Sequence, residues 1–239
     1  MRPLLLGHRG ARRHAPENTI AAFRRALEHG CDGFEFDLRR TADARCILCH
    51  DARLAGRAVE KSAYAALLEA HRRRARNCGD DERPPLLDEV LERFPGAFLN
   101  LELKVPGLEK AVAASVKSRR LPGGYIVSSF LPEVLGKLRE LAPEVPLGLI
   151  AQTYKRLALW STLPIDAVFV YRTLLSRESV REFHNAGKRV FAWTVNDRRE
   201  MERFAEWGVD ALISDDTRLL AETFPGLKPA GNLARVSPA

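Results

Sequence analysis

Short apolar runs alternate along the chain with amphipathic stretches of helical period. The runs at residues 4–7, 33–38, 98–104, 125–128, 147–150, 167–170, 189–195 and 211–214 have the length and composition of buried strands. Between them, apolar residues recur every three to four positions over 19–29, 85–94, 108–119, 132–141, 176–186 and 198–207, and less regularly after Gln152. About eight strand–helix units in succession predict a (β/α)8 TIM barrel, an α/β fold with a single core. An open doubly wound sheet is the alternative, but it gathers its polar residues at one switch point. Here they recur at the ends of strands along the whole chain. The pattern predicts one domain over 1–224, with a small loop insertion between the second and third strands. Residues 225–239, rich in Pro, Gly and small side chains, are expected to form a loosely ordered tail.

Composition agrees with one large core: 46% of the 239 residues are hydrophobic. The net charge of +7 favours anionic partners or simply serves solubility. The densest basic run, at 71–76, has no interleaved aromatics and lies far from the polar strand ends, so it reads as a solvated helix face or loop and not as a nucleic-acid site. No apolar run reaches the length of a membrane span, and Leu4-Leu5-Leu6 is too short for the core of a signal peptide. A cytoplasmic protein without stable membrane insertion is expected, its cysteines Cys31, Cys46, Cys49 and Cys78 being reduced thiols. Cys46-Ile47-Leu48-Cys49-His50 spells the CxxCH of haem attachment. The run reads as a strand, however, in which the two cysteines face opposite sides, and no second CxxC supports a zinc site.

The chemistry sits where the strands end. Residues two apart on a strand share a face, so Glu35 and Asp37 point one way together, as do Glu102 and Lys104, while Phe36 and Leu103 point into the helix layer. Three carboxylates converging at a barrel mouth repel one another unless a cation joins them. An all-oxygen set suits magnesium or calcium better than zinc. The competing reading pairs each carboxylate with a local arginine.

Taken together, His8-Arg9-Gly10, Ala15-Pro16-Glu17-Asn18-Thr19, Glu35-Phe36-Asp37, His50-Asp51, Glu102-Leu103-Lys104, Ser129-Phe130 and Trp193-Thr194-Val195-Asn196 resemble, in order and rough spacing, the glycerophosphodiester phosphodiesterases, from His8 to about Asp215. The resemblance implies an enzyme of barrel fold that cleaves small anionic glycerophosphodiesters into glycerol 3-phosphate and an alcohol with a divalent metal. It also implies that Glu35, Asp37 and Glu102 are metal ligands and that His8 and His50 are an acid/base pair. Histidines suit that work because their ordinary pKa lies near neutrality. Arg9 and Lys104 would neutralise the phosphate. The attacking group is either the neighbouring glycerol hydroxyl or water.

Thr19 and Asn18 read as caps of the following helix. Glu17 either does little more or orients Arg9 or a histidine, Asp51 either orients His50 or starts a turn, and Trp193 and Phe130 are either pocket walls or packing, Trp193 being the one taken as a site residue. The chain departs from the family after His50-Asp51, where Ala55-Gly56-Arg57-Ala58 replaces the usual Arg-Thr-Thr, and at Asp43-Ala44, where a glycine is expected in the turn. These departures touch substrate choice more than chemistry. Two other readings remain: an enzyme acting on lysophospholipids at a membrane surface, for which 64–70 is the candidate apolar segment, and a silent barrel that binds a phosphorylated ligand.

Overall fold

Eight parallel strands close on themselves in the structure, a computed structural model that describes residues 1–75 and 79–229. Cys78 and positions 230–239 of the expected tail lie outside the described residues. The barrel strands are β1 (Leu4–Gly7), β2 (Gly33–Arg40), β6 (Phe98–Leu103), β7 (Tyr125–Ser129), β8 (Leu147–Ala151), β9 (Ala167–Tyr171), β10 (Arg189–Trp193) and β11 (Ala211–Ser214). Each pairs in parallel with the next, and β1 closes the ring by pairing with both β11 and β2. All eight expected strands are present, displaced by two residues at most.

The insertion leaves β2. A short strand β3 (Cys46–Leu48) pairs antiparallel with the end of β2, and a hairpin of β4 (Arg53–Leu54) and β5 (Arg57–Ala58) follows. Helix α2 (Tyr64–Arg74) then leads toward α3 (Leu87–Arg93), the helix before β6. Ile47, Cys49, Val59 and Leu67 form a core of the insertion's own, against which Tyr64 packs. The apolar side of 64–70 therefore faces inward. Cys46 packs instead against the main core, opposite Cys49. Ala44 takes a positive φ of 60°, so the turn forms without glycine.

The remaining helices are α1 (Ile20–Glu28), α4 (Glu109–Lys117), α5 (Pro132–Leu141), α6 (Tyr154–Leu157), α7 (Arg177–Asn185), α8 (Arg198–Trp207) and α9 (Thr217–Thr223). Their starts have local causes: Thr19 accepts from the Ala22 amide before α1, Asp197 from Glu200 before α8, and proline opens α5. Helices α2 and α9 were not among the expected helices, because each buries too few residues to show a helical stripe: Leu67 alone in α2, Thr217 and Leu220 in α9.

Two cores result. One fills the space between strands and helices and includes Phe23, Phe34, Phe36 and Leu103, the last two facing outward as expected. The other fills the barrel with Leu4, Leu6, Phe98, Ile126, Ile150, Phe169, Phe191 and Ile213. Gly148 makes room for one of these: a Cβ there would stand 2.3 Å from the Phe169 ring. That ring forms the floor under the barrel mouth.

Candidate active site

The carboxylates meet because β2 and β6 run in register, with Asp37 opposite Glu102 and Glu35 one inward-facing position below. Glu35, Asp37 and Glu102 each offer an oxygen, and these oxygens all lie within 4.8 Å of one another. All three residues are buried, Asp37 to 1% exposure. Burial, then the charges of Asp37 and Glu102, push the Glu35 carboxyl well above its usual range, and burial with the Asp37 charge lifts Glu102 to about 7. Burial acts on Asp37 too, but Lys104, Arg9 and a hydrogen bond from Asn18 outweigh it and hold that carboxyl low.

The local-arginine alternative accounts for part of this. Lys104 Nζ lies 2.6 Å from Glu102 Oε1 and 3.4 Å from Asp37 Oδ1, and Arg9 Nε lies 3.3 Å from Asp37 Oδ2. Glu35 is left over: its Oε2 accepts the Arg9 backbone N–H at 2.9 Å, while its Oε1 is buried with no hydrogen-bond partner among the described residues. An orphaned buried oxygen between two other carboxylates is the environment a hard divalent cation completes, so the donor set fits such an ion.

The turn after β1 supplies the next groups. Arg9 adopts a positive φ of 54°, which turns its amide toward Glu35, and its guanidinium is held by Glu17 at 2.9 Å. Glu17 therefore orients Arg9. Asn18 corrects its reading as a cap: it is buried, donates from Nδ2 to Asp37 Oδ2 at 2.8 Å and accepts the Asp37 amide at 3.1 Å. Thr19 alone caps α1.

The two histidines stand on different parts of the mouth. His8 follows β1, its Nδ1 2.6 Å from Asp215 Oδ1 and its Nε2 3.9 Å from Glu35 Oε2. Partial burial opposes ionisation of Asp215, but His8, Asn196 at 2.7 Å and Arg12 prevail and hold that carboxyl at about 2. His50 comes in with the insertion, its Nδ1 2.8 Å from Asp51 Oδ1, so Asp51 orients it. Arg39 donates to the His50 carbonyl at 2.9 Å and to Glu60 at 2.7 Å, which ties the histidine's backbone to β2. Burial lowers the His50 pKa, against the charge of Asp37 and the bond to Asp51. Arg57 is exposed on the hairpin, and no hydrogen bond or ion pair among the described residues links it to the site.

These groups line a cavity of about 390 Å³. One wall is polar, with His8, Arg9, Glu35, His50, Asn100, Glu102 and Lys104; the other carries Phe130, Ile150, Phe169, Trp193 and Ile213, with Gln152 among them. Trp193 is thus a wall residue as well as a packed one, its indole N–H bonded to the Phe169 carbonyl at 3.1 Å. Sequence reasoning gave no site role to Asp215, Asn196, Asn100 and Gln152, and it left Phe130 out of the site after weighing it beside Trp193 as a wall. Asp215 directly follows the last strand, so the strand-end rule that found the other carboxylates also covers it.

A model of the Glycerophosphoryl diester phosphodiesterase family matches residues 8–219. The chain belongs to this family. It is 30% identical over 236 residues to the glycerophosphodiester phosphodiesterase of Caldanaerobacter subterraneus subsp. tengcongensis, covering 92% of this chain and 97% of that one. Among solved structures, the glycerophosphodiester phosphodiesterase of Agrobacterium tumefaciens superposes with a TM-score of 0.80 at 26% identity, covering 93% of this family member and all of the other chain (100%). That of Thermotoga maritima gives 0.76 at 25% identity, with 93% and 98% covered.

Proposed function

We propose that the chain hydrolyses glycerophosphodiesters to glycerol 3-phosphate and an alcohol, with magnesium or calcium held by Glu35, Asp37 and Glu102. The observation that carries this reading is the convergence of three buried carboxylates, one with an orphaned oxygen, between two carboxylate-held histidines. When bound, the cation supplies positive charge to a phosphate oxygen and lowers the pKa of the attacking hydroxyl.

The chain's own residues do the rest. Arg9 and Lys104, fixed by Glu17, Asp37 and Glu102, face the remaining phosphate charge. His50, which burial keeps neutral at neutral pH, accepts the proton of the attacking oxygen, of glycerol or of water. His8, its Nδ1 engaged by Asp215, presents Nε2–H to the pocket and gives that proton to the departing alcohol; where the glycerol hydroxyl attacks, the cyclic phosphate so formed is then opened by water to glycerol 3-phosphate. Trp193 walls the substrate on the apolar side. In the same reading the protein works in the cytoplasm on a small soluble anion, not on nucleic acid; among the described residues no helix is long and apolar enough to cross a membrane.

The test is release of glycerol 3-phosphate from glycerophosphocholine and glycerophosphoethanolamine by purified protein with magnesium, calcium or EDTA, beside Glu102→Gln. Metal-dependent release that the variant lacks supports the reading. A folded, metal-binding protein silent on every glycerophosphodiester overturns it.

A further inference from the structure

Against Phe130, on the apolar wall of the cavity, lies a cation that nothing neutralises among the described residues. Phe130, just beyond β7, has two cations over its ring: Lys104 Nζ at 5.6 Å from the centroid and the Arg156 guanidinium carbon at 5.7 Å. Lys104 is already paired with Glu102 and Asp37. Arg156, half-buried on α6, forms no ion pair and no side-chain hydrogen bond among the described residues. Farther along, Arg172 lies over Tyr171 but is balanced by Glu200 at 2.9 Å.

The rings themselves form a series, Phe130 edge-on to Trp193 at 5.6 Å and Trp193 edge-on to Tyr171 at 5.3 Å. Such a series resembles a box for a quaternary ammonium. Here the protein's own cations already lie on it, and the acids lining the cavity are Glu35 on β2, within the carboxylate cluster, and Glu102 on β6, already paired with Lys104. Lys104 connects the two walls, so a phosphate beside its ammonium has one ester substituent alongside Phe130 and, beyond that ring, Arg156. Of the two substituents, only the alcohol differs in charge from one glycerophosphodiester to another. A choline or ethanolamine placed there meets like charge, whereas a carboxylate or phosphate meets an unpaired guanidinium, which binds both through its planar fork.

We propose that Arg156 is a specificity-determining residue, and that it selects glycerophosphodiesters whose alcohol carries an anionic group, a carboxylate or a second phosphate, over those of choline and ethanolamine. The inference rests on the hydrolytic reading above. Its test compares kcat/KM for glycerophosphoglycolate and glycerophosphoinositol 4-phosphate with that for glycerophosphocholine, in the parent, Arg156→Gln, Arg156→Lys and Arg156→Glu, at low and high salt.

The expected result is a parent ratio favouring the anionic alcohols, falling about tenfold in Arg156→Gln, largely kept in Arg156→Lys and reversed in Arg156→Glu. Salt should shrink the ratio in the parent and leave it flat in the Gln variant. Release of glycerol 3-phosphate with the same ratio in parent and Arg156→Gln overturns this inference alone. No release from any substrate overturns the hydrolytic reading and this inference with it.

Discussion

His8 Nδ1 lies 2.6 Å from Asp215 Oδ1, so the first histidine of the chain is held by the residue that follows its last barrel strand. Barrel closure produces this contact: β1 and β11 pair in parallel with Gly7 opposite Ser214, and the next residues of both strands emerge together at the mouth. Asn196, beyond β10, completes the arrangement. It donates to Asp215 Oδ2 at 2.7 Å and accepts the Asp215 amide and the Ser214 hydroxyl, each at 2.9 Å. A carboxylate accepts only, so Nδ1 of His8 carries a proton and Nε2 is the atom left for chemistry.

Asp215→Asn should therefore lower kcat far more than it raises KM. An amide can present its NH2 to Nδ1, and a ring held that way cannot carry protons on both nitrogens, as an acid that gives up the Nε2 proton must. The loss should fall between about tenfold and about 10⁴-fold, the range spanned by orienting partners of histidines in metal sites and catalytic triads. Asn196→Ala should follow with a smaller loss. Steady-state kinetics beside a thermal melt decides the point, and an unchanged kcat in well-folded Asp215→Asn would refute the role.

His50→Ala should cost at least about a hundredfold in turnover, the scale of general acid–base catalysis. Asp51→Asn is the more discriminating variant. Burial lowers the His50 pKa while Asp37 and the bond to Asp51 hold it up, so weakening that bond lowers it further. If His50 acts as the base, the acid limb of the pH profile of kcat/KM moves to lower pH in Asp51→Asn. A limb that stays in place removes His50 from the base role.

Asn18→Ala should destabilise the protein by about 1–3 kcal/mol by stripping the buried Asp37 of two hydrogen bonds. The site also has a positive φ of 56°, which costs a further 1 kcal/mol or so for alanine. Asn18→Gly keeps the backbone at ease and loses only the hydrogen bonds, so urea unfolding of the two variants separates the contributions. Equal midpoints would show that the backbone conformation contributes nothing.

The barrel was legible because its strands are apolar throughout and its helices show broad stripes; α2 and α9 escaped because so little of either is buried. The metal cluster was legible from spacing, since period two fixes which side chains share a face, and the register of β2 with β6 then brings Asp37 and Glu102 side by side. Contacts made only by closure were not. Nothing within the sequence near His8 points to Asp215, 207 positions away. Asn18 was misread for a related reason: a polar residue before a helix looks like a cap, and only the fold shows that Asp37 lies within reach. Arg39 likewise shows its hold on the His50 carbonyl only when β3 has turned back along β2.

The carboxylate cluster should make the metal-free protein less stable as pH rises. Glu102 has a folded-state pKa of about 7 against an ordinary 4.5, raised by burial and Asp37. Between those values the folded chain binds a proton that the unfolded chain has released, so stability falls as pH climbs through that window and stays low above it. Glu102→Gln removes the ionisation, so in EDTA the variant should lose less stability than the parent between pH 5 and pH 8, by on the order of 1 to 3 kcal/mol. The Asp37 carboxyl itself behaves oppositely. It is held low by Lys104, Arg9 and Asn18, so its contribution is already present at pH 5 and disappears only in acid. Magnesium or calcium should raise the parent's melting temperature most at pH 8 and progressively less toward pH 5, because the ion competes with protons for the same oxygens. Glu102→Gln should gain little from either ion at any pH. Melting curves across pH, with EDTA or with each ion, measure all of these together, and a parent whose gain from metal is the same at pH 5 and pH 8 would contradict the assignment of these carboxylates as ligands.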